Sequence, residues 1–270
     1  MTYKRILIIS DTHIPYENKF LIPFLKALVK KYKKFDKIIH LGDEVDHAGM
    51  SFHDKDVDMP SAGDELKLSL PKIKQLENMF PKMDLLDSNH GSLVYRRAFK
   101  HGIPKAYIKN YNDYLQVGRG WKWHEDLTLN TPLGKVYFCH GKMSDIFRHA
   151  QSLGMSAVAG HYHSQYGCRW YGNSLGLYYG LQCGSLIDPK TLAFKYNKLQ
   201  TAKMPTVSLS EFKKRVKEKG ASFLFSKNMC LMFLSSFLES SPNVRNTIST
   251  EIVRYAASNT EISSFYIKVN

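Results

Sequence analysis

Two residues able to ligate a cation or move a proton stand together near the start of the chain. Ile6, Leu7, Ile8 and Ile9 lead through Ser10 into Asp11-Thr12-His13. An apolar, β-branched run of this length reads as a buried strand. Side chains two apart in extended chain leave on the same face, so a carboxylate and an imidazole converge where the strand ends. A single Asp-x-His arises often by chance, but here the pattern recurs. The run at 37–41 ends in Gly42-Asp43-Glu44-Val45-Asp46 and the run at 83–86 is followed by Ser88-Asn89-His90-Gly91. The run at 136–139 ends in His140-Gly141, and the run at 157–159 in Gly160-His161-Tyr162-His163. Repetition of this kind predicts strand ends that share one rim.

The chemistry follows from the donor types. Oxygen and nitrogen ligands without cysteine suit hard to borderline divalent metals: manganese first, with iron, zinc, nickel or magnesium as alternatives. A lone Asp or His at a strand end is ordinarily a cap or a surface group. Six or seven in one constellation are better explained as a cage, in which one bridging carboxylate can hold two metals about 3.5–4 Å apart.

Taken in order, Asp-x-His, Gly-Asp-x-x-Asp, Asn-His, His and Gly-His-x-His resemble the motif set of the calcineurin-like metallophosphoesterase superfamily, over residues 4–200. The resemblance implies an α/β (α+β) fold, a four-layer αββα sandwich of two mixed sheets flanked by helices. It also implies a two-metal phosphoesterase that attacks with a metal-bridging hydroxide. By the same resemblance Asp11, His13 and His163 bind the first metal, Asn89, His140 and His161 the second, and Asp43 both. His90 matches the residue that contacts the phosphate and protonates the leaving group, a contribution of roughly 10²–10⁴-fold. Asp46 matches a residue behind the ligands. The chain departs from the pattern at Ser88, where the family has Gly, and at Gly91, where it has Asp or Glu. The acid that usually follows the catalytic His is therefore missing, and Asp46 and Asp87 are both candidates to orient His90.

Substrate is less constrained. Net charge is +14 and the isoelectric point about 9.5, which favours anionic partners such as DNA, RNA or nucleotides; lysines spread over an ordinary surface give the same total. Between Asn89 and His140, aromatic and basic residues are interleaved in what reads as an insert at 92–135, suited either to stacking on bases and neutralising phosphates or to filling the core of a small cap. Arg96 and Arg148 are the candidate substrate-binding residues, with Arg97 and His149 weaker. His40, His47, His53, His101 and His124 read as structural or exposed, and Cys139 as a small buried filler. The leading expectation is a phosphodiesterase or nuclease; a phosphomonoesterase and a Ser/Thr-type protein phosphatase are the alternatives. A nucleic-acid-binding protein with weakened catalysis is a reading of another class, motivated by Ser88 and Gly91.

The remaining elements follow from periodicity. Residues 19–32 and 61–79 read as amphipathic helices, the second with a break or kink at Pro71. Strands are expected at 166–171, 175–183 and 192–196. Residues 1–205 form the expected catalytic domain. Residues 206–270 form a mostly helical extension that opens with the capping pattern Ser208-x-x-Glu211. Residues 223–238 are apolar but too short and polar for a membrane span, so no membrane partner is expected, and no protein partner is inferable. The four cysteines, Cys139, Cys168, Cys183 and Cys230, form no Cys-x-x-Cys pair. With no signal-peptide pattern at the N-terminus, they suggest a reducing cytoplasm.

Overall fold

Every residue of β1 (Ile6–Ile9) is fully buried, and its alternating side chains sort the molecule into layers. Ile6 and Ile8 join one apolar cluster with Leu129, Val136, Phe138, Val158 and Leu181. Leu7 and Ile9 join another with Leu21, Phe24, Leu25, Ile73 and Leu76. One face of the strand thus meets a second sheet and the other meets helices, as period-2 geometry requires. The computed structural model describes residues 2, 3, 5–54, 56–174, 176–188 and 191. The strand expected at 192–196, the apolar run at 223–238 and the extension at 206–270 lie outside them.

The first sheet has the order β1-β2-β3-β4, with β2 Lys37–His40, β3 Met83–Leu86 and β4 Trp121–His124. All its pairings are parallel. The expectation is two mixed sheets; among the described residues this one is all parallel, and every connection in it is long enough for a parallel crossover. Helices α1 (Leu21–Tyr32) and α2 (Ala62–Met79) are two of those connections. The second sheet is mixed, in the order β5-β6-β7-β9-β8. It is built from β5 Leu127–Thr131, β6 Gly134–Cys139, β7 Ser156–Ala159, β8 Tyr166–Asn173 and β9 Gly176–Cys183. Its outer face carries Cys139, Ala157 and Ala159 against Ile146 and Ala150 of α5 (Ile146–Leu153). The result is two sheets face to face with helices outside each.

Helix α2 runs through Pro71 without a break. Pro71 is exposed, so the carbonyl it fails to serve lies where water can satisfy it. Ser61 caps the helix, accepting from the Asp64 N–H at 3.2 Å. The stretch read as an insert at 92–135 supplies β4 and β5, one strand to each sheet. Between β3 and β4 it adds α3 (Leu93–Lys100), a short helical turn at Lys105–Tyr107, and α4 (Tyr111–Tyr114). Its aromatics divide. Trp121 is core, its indole N–H donating to the Phe80 carbonyl at 2.9 Å, and Tyr111 stacks on Trp123 with centroids 5.0 Å apart. Phe99 and Tyr107 are 84% and 83% exposed.

That division is measurable. Trp121→Ala is expected to cost about 3–5 kcal/mol in urea denaturation, as for other buried aromatics. Phe99→Ala should stay within about 0.5 kcal/mol of the parent. Equal losses would mean that the stretch packs as one unit.

Candidate metal centre

Parallel register aligns the strand ends. Ile9 lies opposite His40 and His40 opposite Leu85, while Cys139 lies opposite Ala159. The residues that follow these positions therefore emerge along one edge of each sheet, and the two edges meet. At the rim the backbone turns sharply: φ is 50° at Asp11, 49° at His13, 53° at Asp43 and 71° at His161. For residues with a Cβ this left-handed region costs about 1–2 kcal/mol each. Hydrogen bonds hold the turns in place, from the His13 N–H to the Asp43 carbonyl at 2.8 Å and from the Leu186 N–H to the Asp11 carbonyl at 2.9 Å. Gly42, at φ 102°, has no room for a side chain; a Cβ there would lie 2.6 Å from that of Ser88 and 2.9 Å from His140 Nδ1.

The side chains form two groups that share one member. In the first, His163 Nε2 lies 3.1 Å from Asp11 Oδ1 and 3.0 Å from His13 Nε2, which is 3.5 Å from Asp43 Oδ2. In the second, His140 Nε2 lies 3.2 Å from the same Asp43 oxygen and 2.7 Å from Asn89 Oδ1. His161 joins Asp43 and His140 there, with ligand atoms all within 4.8 Å of one another. All seven residues singled out as ligands in the sequence thus gather at the rim, and the clustered His and Asp side chains could hold metal ions.

Their donor chemistry fits a cation. The His140 Nδ1–H donates to the Leu41 carbonyl at 2.9 Å, and His13 Nδ1 faces Asp46 Oδ1 at 2.9 Å. Each contact turns an Nε2 lone pair toward the cluster, the arrangement that orients imidazole ligands. Asp43 Oδ1 accepts from the His90 N–H at 3.1 Å, but Oδ2 is buried without a hydrogen-bond partner. Burial alone would raise the Asp43 pKa; His140 and His90 instead hold it well below the carboxylate range. Burial alone would lower His140, whereas the Asp43 charge beside it raises the ring to about 9. A proton thus occupies the place that a cation would take.

Asp46 decides the orientation of His90. His90 Nδ1 is 2.8 Å from Asp46 Oδ1, and it also faces the Asp46 backbone carbonyl. Burial opposes charge on His90, but Asp43 and then Asp46 raise it to about 10. Asp87 is exposed on the strand end, its N–H bonded to the His124 carbonyl. Ser88, which spacing did not single out as useful, accepts from the N–H groups of both Asp43 (2.9 Å) and Gly91 (3.0 Å). A Cβ at position 91 would stand 2.9 Å from that hydroxyl, so Ser88 and Gly91 accommodate each other.

The other candidates separate. Arg96 donates to the Asn89 carbonyl at 2.6 Å, beside the centre. Arg148 is exposed on α5, where it faces Asp145 at 3.9 Å and not the cluster. Arg97 is spent on the carbonyls of Met50 and Ser51, and His149 is buried against Tyr137. His40 is buried, 3.1 Å from Thr12 Oγ1, and His124 pairs with Asp84 at 2.7 Å. His53 and His101 are exposed. His47, read only as structural or exposed, is buried against Tyr114. Cys139 is buried, which pushes its thiol pKa up and leaves it inert.

No protein-family model matches the chain, and no curated protein matches it. Among solved structures it is similar to the crystal structure of Chaetomium thermophilum Vps29, at 13% identity and a TM-score of 0.33, covering 67% of this chain and 71% of that one. A likeness this slight carries no argument, and the reading of the site rests on the residues above. No helix among the described residues is long and apolar enough to cross a membrane.

A pH dependence follows. His140 and His90, raised to about 9 and 10, stabilise the metal-free protein fully below the unfolded histidine value of about 6.5. That stability is lost as pH rises through their folded values. A cation competes with the His140 proton, so its stabilisation runs the other way. The gain in melting temperature on replacing chelator with Mn²⁺ should therefore grow from pH 6 to pH 9. A gain that shrinks over that range would contradict the arrangement.

Proposed function

We propose that the chain is a dinuclear-metal-dependent phosphoesterase acting on phosphodiester bonds of nucleic acid or nucleotides. The observation that carries this reading is Asp43, whose buried carboxylate belongs to both side-chain groups while its loop neighbours Asn89 and His90. In this reading Asp11, His13, Asp43 and His163 hold one divalent cation, and Asp43, Asn89, His140 and His161 hold the other, with manganese the first candidate. When bound, such a pair neutralises phosphoryl oxygens and acidifies an attacking water. His90 holds a proton that it can deliver to the leaving oxygen, its ring fixed by Asp46. Arg96, anchored on the Asn89 carbonyl, carries positive charge to the rim where a phosphate oxygen would sit. Residues 88–112 contain Arg96, Arg97, Lys100, Lys105 and Lys109 but no Asp or Glu, which favours a polyanionic diester over a small monoester.

The test is Mn²⁺-dependent hydrolysis of bis-p-nitrophenyl phosphate, compared with p-nitrophenyl phosphate and a phosphopeptide. Turnover of the diester is expected, with loss on chelation and in Asp43→Asn. His90→Ala should reduce kcat by roughly 10²–10⁴-fold while leaving metal content intact. Cleavage of the monoester alone would turn the assignment to a phosphomonoesterase. Oligonucleotide binding without hydrolysis by metal-loaded protein would turn it to a binding protein.

A further inference from the structure

The aromatic residues of α3 and the segment after it divide between core and solvent, and the exposed ones sit among cations. Arg96, Phe99 and Lys100 are the exposed residues of α3. Their i, i+3, i+4 spacing places them on one face of the helix. The chain continues past α3 through the exposed residues 101–107, which carry Ile103, Lys105 and Tyr107 at the surface. Arg96 Cζ, Arg97 Cζ and Lys100 Nζ lie 5.6, 4.1 and 5.3 Å from the ring centroid of Phe52, itself 43% exposed. The Lys105 ammonium lies 5.2 Å from the ring of Tyr95. The strip begins at the centre, since Arg96 is bonded to the Asn89 carbonyl, and Phe99 lies roughly 4.5 Å further along the helix axis.

Rings that are more than four-fifths exposed contribute little to folding. Their faces can stack on bases only if those bases are unpaired, because a duplex already stacks both faces of each. The flanking lysines and arginine offer positive charge to phosphates and read no sequence. Along the chain the positive strip is local: Asp54, Asp56 and Asp58 follow Phe52 in the sequence.

We propose that the face formed by Arg96, Phe99 and Lys100, continued by Lys105 and Tyr107, docks single-stranded nucleic acid and leads it to the metal centre. Binding of the strand rests on this face itself, and only its delivery rests on the phosphoesterase reading.

The experiment measures fluorescence anisotropy of a labelled fifteen-residue oligothymidine with the full-length chain in chelator, where no turnover occurs. The double variant Phe99→Ala/Tyr107→Ala should bind about tenfold or more weakly, with an unchanged salt slope. Lys100→Glu/Lys105→Glu should reduce the slope of log affinity against log salt by about 1.4, for two lost phosphate contacts on a single strand. A duplex of equal length should bind at least tenfold more weakly than the single strand. The melting midpoint serves as the folding control. Should the alanine pair lower it, Phe99→Leu/Tyr107→Leu, which keeps apolar bulk but has no ring, decides the matter by the same tenfold criterion. Unchanged affinity in the ring variants overturns the proposal. So does equally tight binding of the duplex, or of poly-glutamate as an acidic-peptide competitor. Hydrolysis of bis-p-nitrophenyl phosphate by the metal-loaded parent, a substrate too small to span the strip, reports separately on the catalytic reading. Either can therefore fail while the other stands.

Discussion

One carboxylate whose inner oxygen is met by imidazole rings from both sheets governs the arrangement of this protein. Asp43 is 1% exposed. Its outer oxygen is satisfied by the His90 N–H, and its inner one faces the rings of His13 and His140. An isolated carboxylate removed from water costs several kcal/mol, so positive charge has to be brought to it from both sheets. The first sheet brings His13 from β1 and the second brings His140 from β6. The cluster of Ile6, Ile8, Val136, Phe138 and Val158 that clamps the sheets face to face sets the distance at which those rings arrive. Packing between the sheets is therefore the mechanical basis of the site.

Much of this was legible in the residues because the strands are buried on both faces. Parallel strands covered on each side read as near-continuous apolar runs; 6–9 and 157–159 are such runs, and 37–41 keeps Ile38, Ile39 and Leu41 despite Lys37 and His40. The ligand-type residues follow them directly, so motif and element were found together. The second edge of the first sheet was harder. Trp121-Lys122-Trp123-His124 alternates apolar and polar residues as a strand should, but it lies within a stretch dominated by tyrosines and lysines, and that composition masked the period. The choice between Asp46 and Asp87 was likewise open in one dimension. Asp87 is the one close to His90 in sequence and Asp46 stands a whole crossover away, yet the turn after β2 brings the distant one under the ring.

The departures at Ser88 and Gly91 show how local sterics can rewrite a motif without emptying the site. The Ser88 side chain fills space left by Gly42 and uses its hydroxyl to tie down the Asp43 and Gly91 amides. With that hydroxyl in place, a side chain at 91 would crowd it. No carboxylate directly follows His90 in the sequence, and Asp46, paired with both His13 and His90, orients the ring from another loop.

That shared position of Asp46 has an electrical consequence. The same oxygen meets His13 Nδ1 at 2.9 Å and His90 Nδ1 at 2.8 Å, so two rings in edge-to-face contact draw on one negative charge. Positive charge arriving at the far nitrogen of His13 makes that ring a stronger donor to Asp46 and leaves less electron density for His90. A change of charge at one ring is therefore felt by the other through a single oxygen.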